Sequence, residues 1–322
     1  MHSEKGPILR YGMKFFKRYF SALFSCILVF FISVDAICQQ DPMYTQYMFN
    51  SIVINPAYAG SRGALSATAL YRNQWTGMDG APTTATFSLH SPLKNDNVAL
   101  GLTIINDKIS IFQTLNVNGI YSYSINLGKG SLNLGLQYGI TNYKITPSTV
   151  RFDDESDVYA TLGNVNKIYP NVGTGLFYHT EKFYAGLGVP RIVSFKMKSD
   201  DALISDIRLE RHYFFNTGYV YSLNEQISLK PSVLLKAASG TPVQFDLNLN
   251  AFYKDFLGAG ISYRNKEALC ALLSVHYKKF RFGYAHDLGI SGISKYGGGS
   301  HEIMLNFEHD FRINKIITPR FF

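Results

Sequence analysis

The sequence predicts an all-β fold, a transmembrane antiparallel β-barrel of about fourteen strands preceded by a short N-terminal segment of different character. Three observations predict it. Between Ser131 and Tyr143, Leu132, Leu134, Leu136, Tyr138 and Ile140 share one face, while Ser131, Asn133, Gly135, Gln137, Gly139 and Thr141 share the other. An apolar outer face and a wet, small-residue inner face over this length suit a strand that crosses a bilayer in a closed barrel. The same unit recurs from Ala64 almost to the C-terminus, and 22 Tyr with 24 Phe can furnish aromatic girdles at both membrane interfaces. A soluble β-sandwich also favours aromatic residues but does not require strands this long.

Residues 1–38 read as a signal peptide. Lys14, Lys17 and Arg18 make a basic start, an apolar run extends from Phe20 to Val34, and Ala36 and Cys38 precede a cut before Gln39. The run is short for a membrane-spanning helix. A lipoprotein reading would acylate Cys38, but Ile37 is too large for the position before such a cysteine. Cys26 and Cys38 leave with the leader, so Cys270 stands alone and no disulfide framework exists. The leader holds five basic and two acidic residues, which leaves about +5 of the formal +8 on the mature chain. That charge is scattered, with no Lys/Arg run interleaved with aromatics, so nothing suggests nucleic-acid binding. No later stretch reaches ~18 uninterrupted apolar residues, which excludes a helical membrane protein. An exported chain of alternating membrane-length strands belongs in a bacterial outer membrane.

Residues 39–63 form a lead-in unlike the repeat. Tyr44, Tyr47 and Met48 have helical spacing, and Asn55-Pro56 and Gly60-Ser61 then break the chain. This periplasmic lead-in is expected to pack into or under the barrel as a plug. The barrel occupies 64–311, with strands at 64–75, 83–91, 98–106, 113–127, 131–144, 171–179, 183–190, 209–223, 227–238, 243–254, 257–264, 269–277, 280–287 and 301–311. Residues 312–322 are a periplasmic tail whose Arg312, Lys315 and Arg320 suit contact with other components.

Lys230, Lys236 and Asp246 fall in the inward register, where water is expected to reach them. On the lipid face a basic residue would cost roughly 2–4 kcal/mol at mid-depth. Connections at 91–97, 128–130, 180–182, 224–226, 255–256 and 278–279 are short, and those at 147–170, 191–208 and 288–300 are long. Short turns facing the periplasm then place both ends of an even-stranded barrel there.

No catalytic, cofactor or metal site stands out. The histidines His179, His212, His276, His286, His301 and His309 are scattered, and Gly-x-Ser-x-Gly does not occur. They show neither i,i+4 nor Cys-x-x-Cys spacing. Asp153, Asp154, Glu155 and Asp157 lack the spacing of a calcium loop and read as a solvated acidic loop. Gly297, Gly298 and Gly299 lie between strands, without the strand-to-helix context of a phosphate loop. Arg72, Asn73, Gln74 and Trp75, followed by Gly77, Asp79, Gly80 and Pro82, make a hairpin tip dense enough for recognition or for turn chemistry with a girdle tryptophan.

The lead-in and first hairpin resemble the opening of the PorP/SprF family, outer-membrane proteins of the type IX secretion system of Bacteroidota. The resemblance rests on Asp41, Pro42, Tyr44, Gln46, Tyr47 and Asn50, then Asn55, Pro56, Tyr58 and Gly60, and continues through Arg72-Asn73-Gln74-Trp75, Gly80-Ala81-Pro82 and Ser88 to Leu93. It implies a non-enzymatic role in export or surface attachment of partner proteins, often adhesins linked to gliding that carry a C-terminal sorting domain. It supplies no residue-level binding site, so the motif residues stand as a plug or docking element. The competing class is a channel for small or hydrophobic solutes, since a barrel this wide needs a plug to be closed. A barrel-borne lipid hydrolase is a third class.

Overall fold

A computed structural model describes residues 41–311 apart from 95–96, 148–162, 197–207, 240 and 293–296. Residues 1–38, read as a signal peptide, the 312–322 tail and the acidic group at 153–157 lie outside the described residues. Strands β1 (Leu65–Asn73), β2 (Thr83–Pro92), β3 (Val98–Ile109), β4 (Phe112–Leu127), β5 (Gly130–Ile145), β6 (Val165–His179) and β7 (Phe183–Val189) form the first half. The second half is β8 (His212–Tyr219, resumed at Tyr221–Ser222), β9 (Ile227–Ala238), β10 (Gln244–Tyr253), β11 (Leu257–Arg264), β12 (Ala268–Tyr277), β13 (Phe280–Gly289) and β14 (Ser300–His309). Each strand pairs antiparallel with its sequence neighbour, and β1 pairs with β14 from Leu65↔His309 to Asn73↔His301. The result is a closed barrel of fourteen staves.

Burial is inverted relative to a water-soluble sheet. On β5 the inward Gln137 is 6% exposed and the neighbouring outward Tyr138 is 68% exposed. The outward row of leucines, isoleucines and aromatic residues meets lipid rather than a core, as alternation requires of a spanning strand. Cys270 is buried and free.

Differences from the expected strands have local causes. β6 starts at Val165 rather than 171 because Pro170 lies within it. There β6 pairs with β5 alone, since β7 reaches only Thr174, and Ile192 N–H donates to the Val172 carbonyl on that open side. By period two, the nitrogen of Pro170 faces the same side, where no ladder bond is missing. β8 is interrupted at Val220. The register runs from Gly218↔Ser232 to Tyr221↔Leu229, which sets Pro231, unable to donate, across from Tyr219 beside the gap. The expected strand at 209–223 also loses its start, since Arg208–Leu209 pairs instead with Phe195–Lys196 as a separate ribbon.

One end of the barrel, the turn end, carries the tight connections at 128–129, 180–182 and 278–279 together with Leu65 and His309. The opposite loop end carries the long connections, although two of its links, 110–111 and 265–267, are also tight.

Candidate functional site

The residues singled out in the lead-in lie inside the barrel. Of the two placements expected, within it or beneath it, the segment takes the first, running down the lumen from Asp41 at the loop end to Gly63 beside β1. Three successive 3-10 turns, Tyr47–Phe49, Ser51–Val53 and Pro56–Tyr58, compact it. Asn55 caps the third turn, its Oδ1 accepting from the Ala57 N–H at 3.0 Å, and Pro56 occupies the first helical position, where a missing N–H costs nothing. Residues 44–59 are buried without exception.

This plug brings the core with it. Because lipid takes the apolar side of the sheet, the inner wall is largely Ser, Thr, Asn and charged residues. Tyr47, Met48, Phe49, Ile52, Ile54 and Tyr58 supply the apolar mass, against scattered inward residues such as Leu70, Phe177, Phe214 and Met304. Burying such a side chain is worth about 1.5–3 kcal/mol. The wall makes room with glycine: a Cβ on Gly135 would overlap the backbone of Pro56 and Ala57, and one on Gly188 the backbone of Ile54 and Asn55.

Many polar atoms of the plug find partners. Tyr44 Oη pairs with Thr86 Oγ1 at 3.1 Å, Asn248 Nδ2 donates to Tyr47 Oη at 2.8 Å, and Ser88 Oγ to Asn50 Oδ1 at 2.6 Å. Asn55 Nδ2 donates to the Leu176 carbonyl at 2.9 Å, and Arg62 Nε to Tyr58 Oη at 2.8 Å. Gly60 N–H donates to His90 Nδ1 at 3.2 Å.

Near the loop end a buried ionic cluster grips Thr45 and Gln46. Arg72 lies 2.7 Å from Asp287 and 3.2 Å from Glu302, and Arg264 lies 3.1 Å from Asp246 and 3.4 Å from Asp287. Glu302 accepts the backbone N–H groups of Thr45 and Gln46 at 2.9 and 2.7 Å, and Thr45 Oγ1 donates to Asp287 at 2.8 Å. Lower down, Phe49 has two cations over its ring, Lys230 at 6.0 Å and Arg281 at 5.1 Å. Lys230, Lys236 and Asp246 do face inward as expected, but not toward water. The plug covers them, and Lys236 Nζ donates to the Asp41 carbonyl at 3.1 Å.

Asp41 is the upper latch, 3.1 Å from His212 Nδ1 and 3.5 Å from Arg191. Burial alone would push its pKa up, but Arg191 and then His212 hold the carboxyl well below the usual range. A depressed folded pKa means the latch is complete above the unfolded value near ~3.9 and is lost as pH falls below it. Asp41→Asn is therefore expected to speed amide exchange at Tyr44–Gln46 at pH 7, with the gap from wild type shrinking below about pH 4. Hydrogen-exchange mass spectrometry checks both points, and a pH-independent gap would reject the charge explanation.

Two openings flank the plug. At the loop end a vestibule of about 540 Å³ is lined by Asp41, Gln74, Trp75, Asp107, Phe112, Tyr143 and Glu267. At the turn end a recess of about 290 Å³ is lined by polar residues including Ser61, Ser122, Asn126 and Asn133. Pro42 borders the vestibule, and Asn73, next to the inward Arg72, falls on the opposite face of β1. The hairpin tip thus divides, Arg72 to the plug and Gln74 with Trp75 to the mouth.

The sequence model described as type IX secretion system membrane protein PorP/SprF matches residues 36–307. The chain belongs to this family. The match spans the plug and nearly the whole barrel, so the family's description as a secretion-system membrane protein applies to the architecture just described. No curated protein matches the chain. Solved structures similar to it include the CymD monoaromatic hydrocarbon channel, at 13% identity and TM-score 0.45 over 85% of this chain and 96% of that one. A Pseudomonas aeruginosa FadL homologue matches at 11% identity and TM-score 0.44 over 84% and 95%, and Acinetobacter baumannii Omp33 at 11% and 0.40 over 76% and 97%. These likenesses concern the barrel fold alone.

Sequence reasoning missed the wall partners Arg264, Asp287 and Glu302. Their inward register, shared with Asp246, was the available signal.

Proposed function

We propose that this family member is a plugged outer-membrane docking component of the type IX secretion system, acting by binding rather than catalysis. Its partner is a secreted, adhesin-like protein with a C-terminal sorting domain, held at the loop-end mouth for export or surface attachment, in some settings for gliding. The observation that carries this reading is the filled lumen, in which residues 44–59 are all buried. A wall built with glycines to seat a plug, and a buried ionic cluster to hold it, favours a closed scaffold over a conduit. In the orientation with tight turns toward the periplasm, Leu65 and His309 lie at the periplasmic rim and Asp41 at the outer mouth, so the lead-in starts at the outer side rather than in the periplasm as the sequence suggested. The tail from Arg312 to Phe322 then follows on the periplasmic side, within reach of the secretion machinery.

Deleting the gene and comparing surface and culture-medium proteomes tests the reading. Loss of one or a few large surface proteins, with the rest intact, is expected. An unchanged proteome accompanied by altered solute uptake would move the assignment to a channel for small or hydrophobic solutes. Liposomes carrying the wild-type protein are expected to pass little solute.

A further inference from the structure

The vestibule holds an electrostatic mismatch. Three carboxylates and one cation, Lys266, line it, and two of the carboxylates are answered by other basic groups: Asp41 by His212 and Arg191, and Glu267 by Arg264 at 3.6 Å. The third is Asp107, inward on β3 between Thr84 of β2 and Thr114 of β4. It accepts a 2.6 Å hydrogen bond from Thr84 Oγ1, and among the described residues no basic side chain comes within ion-pair distance. A half-buried carboxylate without a counter-charge is costly unless something supplies one. Around it stand the half-buried Trp75 and Phe112, flat surfaces that suit an aliphatic or aromatic side chain and, in their faces, a cation, with the buried Tyr143 packed behind Phe112.

We propose that the vestibule binds a basic, apolar-flanked peptide segment of the secreted partner, with a Lys or Arg side chain paired to Asp107 and a neighbouring apolar side chain laid on Trp75 or Phe112. This deepens the docking reading and rests on it. A volume of about 540 Å³ falls within the range of small-ligand pockets and suits a few residues of extended chain. The plug closes the floor with Asp41, Pro42 and Met43, so the cavity is a dead end suited to holding a segment rather than passing a solute.

Trp75 is the single tryptophan of the sequence and lies in this cavity, so its emission reports occupancy without a label. The mature protein in detergent is titrated with the aromatic-free peptide (Lys-Leu)3, with (Glu-Leu)3 and with spermidine. A saturable change with (Lys-Leu)3 is expected, weakened about tenfold in Asp107→Asn and absent for (Glu-Leu)3. Thr114→Lys, which places a cation beside Asp107 from the adjoining strand, is expected to abolish binding while leaving the barrel heat-modifiable on gels. Equal affinity in wild type and Asp107→Asn, or binding of (Glu-Leu)3 as tight, would overturn the proposal. Spermidine binding as tight as the peptide would overturn the peptide in favour of a small-cation site. In cells the outcomes separate cleanly. If gene deletion strips no surface protein, docking itself fails. If deletion strips one and the Asp107→Asn gene restores it fully, only the basic-segment inference fails.

Discussion

Gly135→Val is expected to unseat the plug and turn a closed barrel into a leaky one. The added side chain falls on the backbone of Pro56 and Ala57, which no rotamer change can move aside. Only a shift of the third 3-10 turn relieves it, and that turn is tied to the wall by Asn55, whose amide bonds the Leu176 carbonyl. Displacing the turn also strips cover from Phe177, whose ring meets Tyr58 edge-on at 5.3 Å. Overpacking of a tight site commonly costs about 1–3 kcal/mol, and here the strain concentrates on one segment held in a polar tube. Planar-bilayer conductance is expected to rise at least about tenfold over wild type, in which residues 44–59 fill the lumen. Unchanged conductance together with unchanged protease resistance of residues 41–60 would count against the plug as the closure.

Arg72→Met is expected to destabilise the lumen strongly. Its guanidinium answers Asp287 and Glu302, both almost fully buried, so removing it leaves Glu302 without a cation and Asp287 with Arg264 alone. Breaking a buried pair by deleting one partner costs about 3–5 kcal/mol, since the desolvated remainder is left uncompensated. The loss should appear as a lower urea midpoint in detergent and as faster exchange at Thr45 and Gln46, whose N–H groups Glu302 holds. Adding Glu302→Gln is expected to recover part of the loss, because one orphaned charge disappears while an acceptor remains. Strict additivity of the two changes would show that the pair does not act as a unit.

The barrel was legible in the sequence because lipid imposes a period of two that needs no knowledge of distant residues. Leu132 through Ile140 declare their face locally, and so do the rows on β9 and β10. Strand ends were less legible where proline intervened. Pro170 reads as a terminator, yet it is tolerated where only one neighbour pairs, and that depends on β7 being short. The plug was legible as a segment that enters or underlies the barrel but not in its three turns or its wall contacts, because three-residue turns carry almost no periodic signal and their burial exists only once a wall surrounds them. The ionic cluster was least legible of all. Arg72 and Asp287 are 215 residues apart, and nothing near either one specifies the other until the barrel closes.

Every neighbouring pair of staves is joined by chain except β1 and β14, whose ladder is the one seam. Arg72 of β1 sits opposite Glu302 of β14, and the carboxylate that Arg72 reaches across this seam is also the one that bonds Thr45 and Gln46. Farther down, Asn306 Nδ2 donates to Ser66 and Thr68 at 2.9 Å each, and Arg62, at the foot of the plug, pairs with Glu308. The lead-in therefore serves as a clasp as well as a stopper. It pins the first stave to the last from inside, at the single junction that covalent connectivity leaves unsecured.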